Sequence, residues 1–388
     1  MNAHRTSFTL CAASAFIVGA VVVPAVARAQ SDPFAAIPAR MEQFIADHEI
    51  PGAVTLVSRD GQIVHLAAIG MADVNGKTPL STDSLFGVMS MTKPITATAL
   101  MILIDEGKVA LDDPVEKYIP AFASAKLVNG DAVTGLTVRR LLTHTSGLGD
   151  KQDCRDSLEA TAARLAKRKF KFQPNTKWEY GPSMNVVGRI IEIAAEKPYD
   201  EFLAERIFKP LGMNETTFHP SPELRRRLAG LYELDDKTHA LKPAERMLGG
   251  GEPDAAPNPS GGLFSTAADM ARFYHMILNG GELDGVRIVS ADAVKQMTSV
   301  QTDDLVTGFT PGNGWGLGWC IVRKPEGVTG VLSPGTYGHG GLYGTQGWVD
   351  PERRTVFVLM TQRSNFPNSD GSDVRSEFQR LAVEALDQ

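Results

Sequence analysis

A serine and a lysine stand three residues apart in GVMSMTKPIT (87–96). Residues at that spacing share one face of a helix, with Cβ atoms about 5–6 Å apart. At the start of a helix, Ser90 would have free backbone N–H groups and the positive end of the dipole beside it, a setting that favours an oxyanion. Pro94 is tolerated there, because first-turn N–H groups have no helical acceptor. Lys93 would lie next to the hydroxyl. With a reference pKa of about 10.4 a lysine is a poor base at neutral pH, but burial and a nearby helix N-terminus both lower it. So tuned, it can take the serine proton directly or through a tyrosine. Most S-x-x-K matches are only a capping serine and a surface lysine. Here the following run, ITATALMILIDEG (95–107), is apolar on nearly every side, so its helix and the helix start belong inside the protein.

The elements that must position this pair change character along the chain. AVTLVSRDGQIVHLAAIG (53–70) alternates apolar and polar residues around Asp60-Gly61, a hairpin signal. Gly107 is placed to end the buried helix. VRRLLTH (138–144), SLEATAARLAKR (157–168), VVGRIIEIAAE (186–196) and EFLAERIF (201–208) fit the helical period. GGGEPDAAPNPSGG (249–262) marks a boundary loop. A helix over 267–278 follows, with Thr266 and Asp269 spaced as a capping pair. WGLGWCIV (315–322), TQGWVD (345–350) and TVFVLMTQ (355–362) read as strands, and residues 374–388 as a closing helix. Sheet at both ends with helices between predicts one α/β unit carrying a helical insertion. The expected parts are a discontinuous α/β domain over 30–95 and 255–388 and a mostly helical one over 96–254.

The 388 residues, 43% hydrophobic and 22% charged, are those of an ordinary globular protein. The first thirty stand apart. A weakly basic start, the apolar run FTLCAASAFIVGAVVVPAVA and Ala27-Arg28-Ala29 predict a signal peptide cut after Ala29, hence a periplasmic or secreted protein. An uncleaved anchor is the alternative; Pro24 and the cleavage pattern favour release. Losing Arg5 and Arg28 and no acid moves the formal charge from −6 to −8. That balance argues against nucleic acid or an anionic membrane as partner. The basic stretches LAKRKFKF (165–172) and Arg225–Arg227 read as solvated helix faces. With no CxxC and no HExxH, no metal or other cofactor is expected. Cys154 and Cys320 remain after cleavage, and the sequence leaves open whether they pair.

Five stretches together resemble the penicillin-recognising serine hydrolases, which include class C β-lactamases, D-Ala-D-Ala peptidases and family VIII carboxylesterases. They are LFGVMSMTKPITATALMILIDEGKVALDDPVEKYIP (85–120), LLTHTSGL (141–148), WEYGPSMNVVGRIIEIAAEKPYDEFLAERIFKPLGM (178–213), GGLFSTAADMARF (261–273) and YGHGGLYGTQGWVDP (337–351). The resemblance spans roughly residues 36–386 and implies a β-lactamase-like antiparallel sheet flanked by helices. It implies Ser90 as nucleophile, Lys93 as base and Tyr180 as the tyrosine that shares the base role. A phenol near a buried ammonium is expected to have its ionised form favoured. His339-Gly340-Gly341 stands where the family has Lys-Thr-Gly. The two glycines would let substrate approach closely, and His339 would donate a hydrogen bond to substrate, with a charge that varies near neutral pH. The N–H of Leu342 would complete the oxyanion hole with that of Ser90. His144, which suggests a Ser–His–Asp triad, is placed by the resemblance in a supporting loop instead. No G-x-S-x-G is present.

One departure bears on substrate. The lactamases usually carry Tyr-x-Asn, whereas this chain has Tyr180-Gly181-Pro182, and proline offers no side-chain hydrogen bond. That run is closer to the family VIII esterases. The expected activity is therefore hydrolysis of carboxylic esters of small or short-chain acyl groups through an acyl-enzyme on Ser90. The alternatives are amide hydrolysis of a D-Ala-D-Ala peptide or a β-lactam, acyl transfer to an alcohol, and an idle penicillin-binding protein. Oligomeric state is not legible.

Overall fold

Asp60 and Gly61 both take positive φ, 50° and 83°, the backbone of a two-residue hairpin turn. They join β1 (Gly52–Arg59) to β2 (Gln62–Asp73). In the computed structural model, which describes residues 32–151, 154, 156–244 and 256–388 and isolated positions before them, this hairpin belongs to an eight-stranded antiparallel sheet. The other strands are β3 (Thr78–Pro79), β4 (Asn313–Trp315), β5 (Cys320–Val322), β6 (Tyr337–Gly340), β7 (Gln346–Asp350) and β8 (Thr355–Met360). Their order is β4-β5-β6-β7-β8-β1-β2-β3, so the N-terminal hairpin completes a sheet begun by the C-terminal strands. Val54 pairs with Met360 and Leu56 with Val358 across that junction.

Both faces of the central strands are covered, and the two-residue period sorts the side chains. Ala53, Val57, Phe357 and Leu359 pack with helices α1 (Ala36–Ala46) and α5 (Asp373–Leu386). Val54, Leu56, Val356 and Val358 face the larger core, which runs on into α2 (Thr92–Asp105), α3 (Ser183–Ala195) and α4 (Ala267–Leu278). This is the expected α/β arrangement of an antiparallel sheet flanked by helices. Pro33–Gln388 is one compact unit and Met1–Asp32 another. The expected leader and residues 249–255 of the boundary loop fall outside or largely outside the described residues. Among the described residues no helix is long and apolar enough to cross a membrane.

α2 is buried at every position from Thr92 to Leu103. Gly107, at φ 71°, ends it, with Lys108 N donating to Leu103 O at 2.9 Å. Thr266 caps α4 by accepting from Asp269 N at 3.2 Å. One expected element differs. The run 315–322 is a tight hairpin rather than one strand, because Gly316–Trp319 turn between β4 and β5, with Gly316 N donating to Trp319 O at 2.8 Å. Gly318 sits there at φ 78°, and a Cβ on it would come within 2.6 Å of Ala97 Cβ on α2. The turn is thus pressed against the helix that carries Lys93.

Candidate active site

Thr92, Lys93 and Thr96, in the first turns of α2, each find a partner in the loop that precedes Phe264. Thr92 Oγ1 donates to Met89 O at 2.7 Å and accepts from Leu263 N at 3.3 Å. Thr96 Oγ1 donates to Pro259 O at 2.8 Å. Between them Lys93 Nζ donates to Ser260 O at 2.5 Å and lies 3.0 Å from Ser90 Oγ. Ser260 is itself held by Asn185 of α3, whose Oδ1 accepts from its hydroxyl at 2.7 Å. Buried polar groups must be satisfied, and this loop satisfies α2 while aiming the amine at the serine.

Ser90 occupies a single 3-10 turn, Met89–Met91, at the head of α2, where its N–H precedes any acceptor in the turn. Met89 before it holds φ 49°. A non-glycine residue in that region costs on the order of 1–3 kcal/mol and persists where its surroundings fix it. The surroundings here are the end of β6. Thr345 Oγ1 donates to Val88 O at 3.1 Å. A Cβ on Gly341 would stand 2.1 Å from that hydroxyl oxygen and 2.6 Å from Val88 O. On Gly340 it would meet Asp370 Oδ1 at 1.7 Å. The glycines line the cavity, and atoms of the protein also approach their Cα positions closely.

Lys93 is 1% exposed, and burial brings its pKa down to about 7, against a smaller upward pull from the Asp370 carboxylate. The amine stands 4.5 Å from the centre of the Tyr180 ring. The Tyr180 hydroxyl hydrogen-bonds the Ser90 side chain, yet burial pushes its pKa up. The expected ionised phenol is therefore not favoured: loss of hydration outweighs any help from Lys93. His144 packs 4.5 Å from the Tyr180 ring and 5.3 Å from the Trp315 ring. Its backbone O accepts from Glu179 N at 2.9 Å. It packs against the tyrosine's loop, and burial holds its pKa well below the usual value.

His339, on β6, is 2% exposed. Burial and Lys93 take its pKa down to about 3, so its charge does not vary near neutral pH, contrary to expectation. Ser90, Tyr180, His339, Gly340, Gly341 and Leu342 all line one cavity of about 200 Å³. Sequence reasoning missed Phe309, Phe366–Ser369 and Asp370 on the same wall. Phe309 closes over Tyr180, ring centroids 5.0 Å apart, and Asn368 Nδ2 donates to its carbonyl at 2.9 Å. These come from loops with no local motif. Cys320 is buried on β5 and Cys154 contacts Pro257 O at 3.8 Å; no disulfide joins them. Among the described residues no three His, Cys, Asp or Glu side chains are grouped to hold a metal ion.

A buried lysine beside a serine at a helix start, facing the edge of an antiparallel α/β sheet, defines a serine hydrolase of the β-lactamase and penicillin-binding class. The Beta-lactamase family description matches residues 37–382, and the chain belongs to that family. It is 30% identical over 362 residues to Esterase EstB of Burkholderia gladioli, covering 84% of this chain and 90% of that protein. It is 29% identical over 347 residues to D-alanyl-D-alanine-carboxypeptidase/endopeptidase AmpH of Escherichia coli K12, covering 84% and 85%. Its fold superimposes on EstCE1, described as a hydrolase with promiscuous acyltransferase activity, with a TM-score of 0.77 at 22% identity, covering 92% and 98%.

Proposed function

We propose that the protein hydrolyses carboxylic esters of small or short-chain acyl groups through an acyl-enzyme on Ser90. The observation that carries this reading is the contact of 3.0 Å between Ser90 Oγ and an amine whose pKa is brought to about 7. Above about pH 7 the amine is mostly neutral and takes the hydroxyl proton as Oγ attacks the acyl carbon. The developing oxyanion is received by the N–H groups of Ser90 and Leu342. The Lys93 ammonium then returns the proton to the leaving alkoxide, with the neutral Tyr180 phenol as the relay nearest Ser90. Water attacks the acyl-enzyme, Lys93 takes its proton, and the acid leaves as Ser90 regains its hydrogen.

Lys93, rather than Tyr180, is the immediate base in this reading, because burial lowers the pKa of the amine and raises that of the phenol. Esters are favoured over amides by two features. Pro182 stands at the N-terminus of α3 where an amide-holding Asn would be needed, and the cavity of about 200 Å³ suits a small acyl group. Both an esterase and a peptidase are among the relatives, so the test must separate them. Wild type and Ser90→Ala are assayed on p-nitrophenyl acetate and butanoate, on nitrocefin and on a D-Ala-D-Ala peptide. The expected result is ester turnover well above the other two, abolished in the variant. Faster turnover of nitrocefin or peptide would overturn the ester reading, and wild-type rates in Ser90→Ala would overturn the nucleophile.

A further inference from the structure

The acyl-transfer machinery is indifferent to what else the acyl group carries. The opposite wall of the cavity is not. His339 lines it, and Nδ1 lies 2.7 Å from the carbonyl oxygen of Gly340. A carbonyl can only accept, so Nδ1 carries the hydrogen and Nε2 of the neutral ring carries a lone pair. Nε2 is buried and has no partner among the described residues. A buried acceptor left unmatched costs about 1–3 kcal/mol, so it calls for a donor from elsewhere.

Asp370 lines the same cavity. Its Oδ1 packs over Gly340, in the space a side chain there would need, and accepts one long hydrogen bond, 3.3 Å, from Gln346 Nε2. Among the described residues that line the cavity there is no Lys or Arg. Lys93 is committed to Ser90 and Ser260. Arg375, buried behind the wall, gives Nη1 to the backbone carbonyl of Asp370 at 2.6 Å and lies over the Trp348 ring at 4.0 Å. Burial raises the Asp370 pKa, against an opposing pull from Arg375. A substrate carboxylate entering here would lose its hydration and face the His339 acceptor, with no Lys or Arg among the described lining residues to compensate it.

We propose that His339 Nε2 and the Asp370 carboxyl form an acceptor subsite, which selects acyl groups bearing a hydroxyl and rejects those bearing a carboxylate. An ammonium would satisfy the same acceptors but would stand close to Lys93, so the hydroxyl is the better fit. This inference rests on the ester reading and narrows its substrate class.

Three p-nitrophenyl esters of four-carbon acids keep chain length and leaving group constant: the butanoate, the 3-hydroxybutanoate and the hemisuccinate. In wild type, kcat/KM for the hydroxy ester should exceed that for butanoate by about fivefold or more, with the hemisuccinate about tenfold or more below. His339→Phe removes the acceptor and should bring the hydroxyl preference within about twofold, while His339→Gln, whose Oε1 can accept, keeps part of it. Asp370→Asn should raise the hemisuccinate relative to butanoate several-fold. Ratios within one variant are unaffected by loss of folded protein. If His339→Phe does not fold, the Gln and Asn variants carry the test. A wild type that hydrolyses the hemisuccinate as readily as butanoate, or a hydroxyl preference that survives in His339→Phe, would overturn the subsite. If no ester turns over, the ester reading fails instead. The same acyl groups are then compared as p-nitroanilides, and by the mass of acylated protein where turnover stalls, with the same ranking expected.

Discussion

Two walls of one cavity are built in opposite ways. On the helix wall, Met89–Lys93 sits at the head of α2, and its functional atoms are fully engaged: Lys93 Nζ with Ser90 and Ser260, Thr92 and Thr96 with the loop beside them. On the strand wall, His339 keeps a nitrogen without a partner among the described residues and Leu342 is 40% exposed. Engagement fixes geometry, which the chemical step needs for every substrate. An open acceptor costs stability. The difference teaches that reaction and selection are separable here, and mutations on the two walls should fail differently.

The largest effect belongs to the helix wall. Lys93→Met should lower kcat/KM for a good ester by about 10³–10⁴-fold, the upper range for losing a general base. The variant should also be the more stable protein near pH 6. The folded pKa of about 7 lies below the reference 10.5, so between those values the unfolded chain binds the extra proton and wild-type stability rises with pH. Below about 7 the full cost of the buried amine is present, and Met removes it. Thermal melts from pH 6 to 10 check this: the variant's advantage should shrink as pH rises, and a wild type that is more stable than Lys93→Met at pH 6 would contradict it.

Next comes the residue between the walls. Tyr180→Phe keeps the ring under Lys93 and Phe309 and removes only the hydroxyl. A loss of about 10²-fold in kcat, with KM little changed, is expected of a proton relay. A KM effect alone would reassign the phenol to binding.

Gly341→Ala probes whether the walls are mechanically joined. Its methyl would press Thr345 and Val88, and overpacking of that kind costs about 1–3 kcal/mol. The displaced backbone is the turn that presents Ser90, so a roughly tenfold loss of kcat/KM, equal across acyl groups, should accompany a lower melting temperature. A change in acyl preference without loss of stability would show that the glycine serves substrate instead.

The helix wall was legible in the sequence because its parts are local. Ser90 and Lys93 are three apart, and an apolar run announces that their helix is buried. Tyr180, His339 and Leu342 were reached through resemblance. Their burial was not visible, so the sequence suggested an ionised phenol and a titrating histidine where desolvation dictates a neutral phenol and a neutral ring. Ser260, Asn185, Phe309 and Asp370 lie 95 or more positions from Ser90 and occupy loops or helix faces with no motif of their own. The strand expected over 315–322 failed for a related reason: Gly316 and Gly318 lie in a turn that packs against Ala97, which the sequence alone does not show.

The smallest effect joins the two walls electrostatically. Lys93 has four titratable neighbours, and three of them, His144, His339 and Tyr180, are held neutral by burial. Asp370 is the fourth: burial raises its own pKa, and its carboxylate form raises the pKa of Lys93 against the larger effect of burial. In Asp370→Asn that pull is gone, so the amine should lose its proton at lower pH. The ascending limb of kcat/KM, set in wild type by Lys93 near pH 7, should therefore move down, and the variant should keep a larger fraction of its plateau rate at pH 6 than wild type does. The shift should be the same for butanoate and 3-hydroxybutanoate esters, since it acts on the base and not on the acyl group. A limb that moves up would mean that Asp370 is protonated across this range and meets substrate as a donor. A limb shifted for only one ester would mean that reaction and selection are not separable after all.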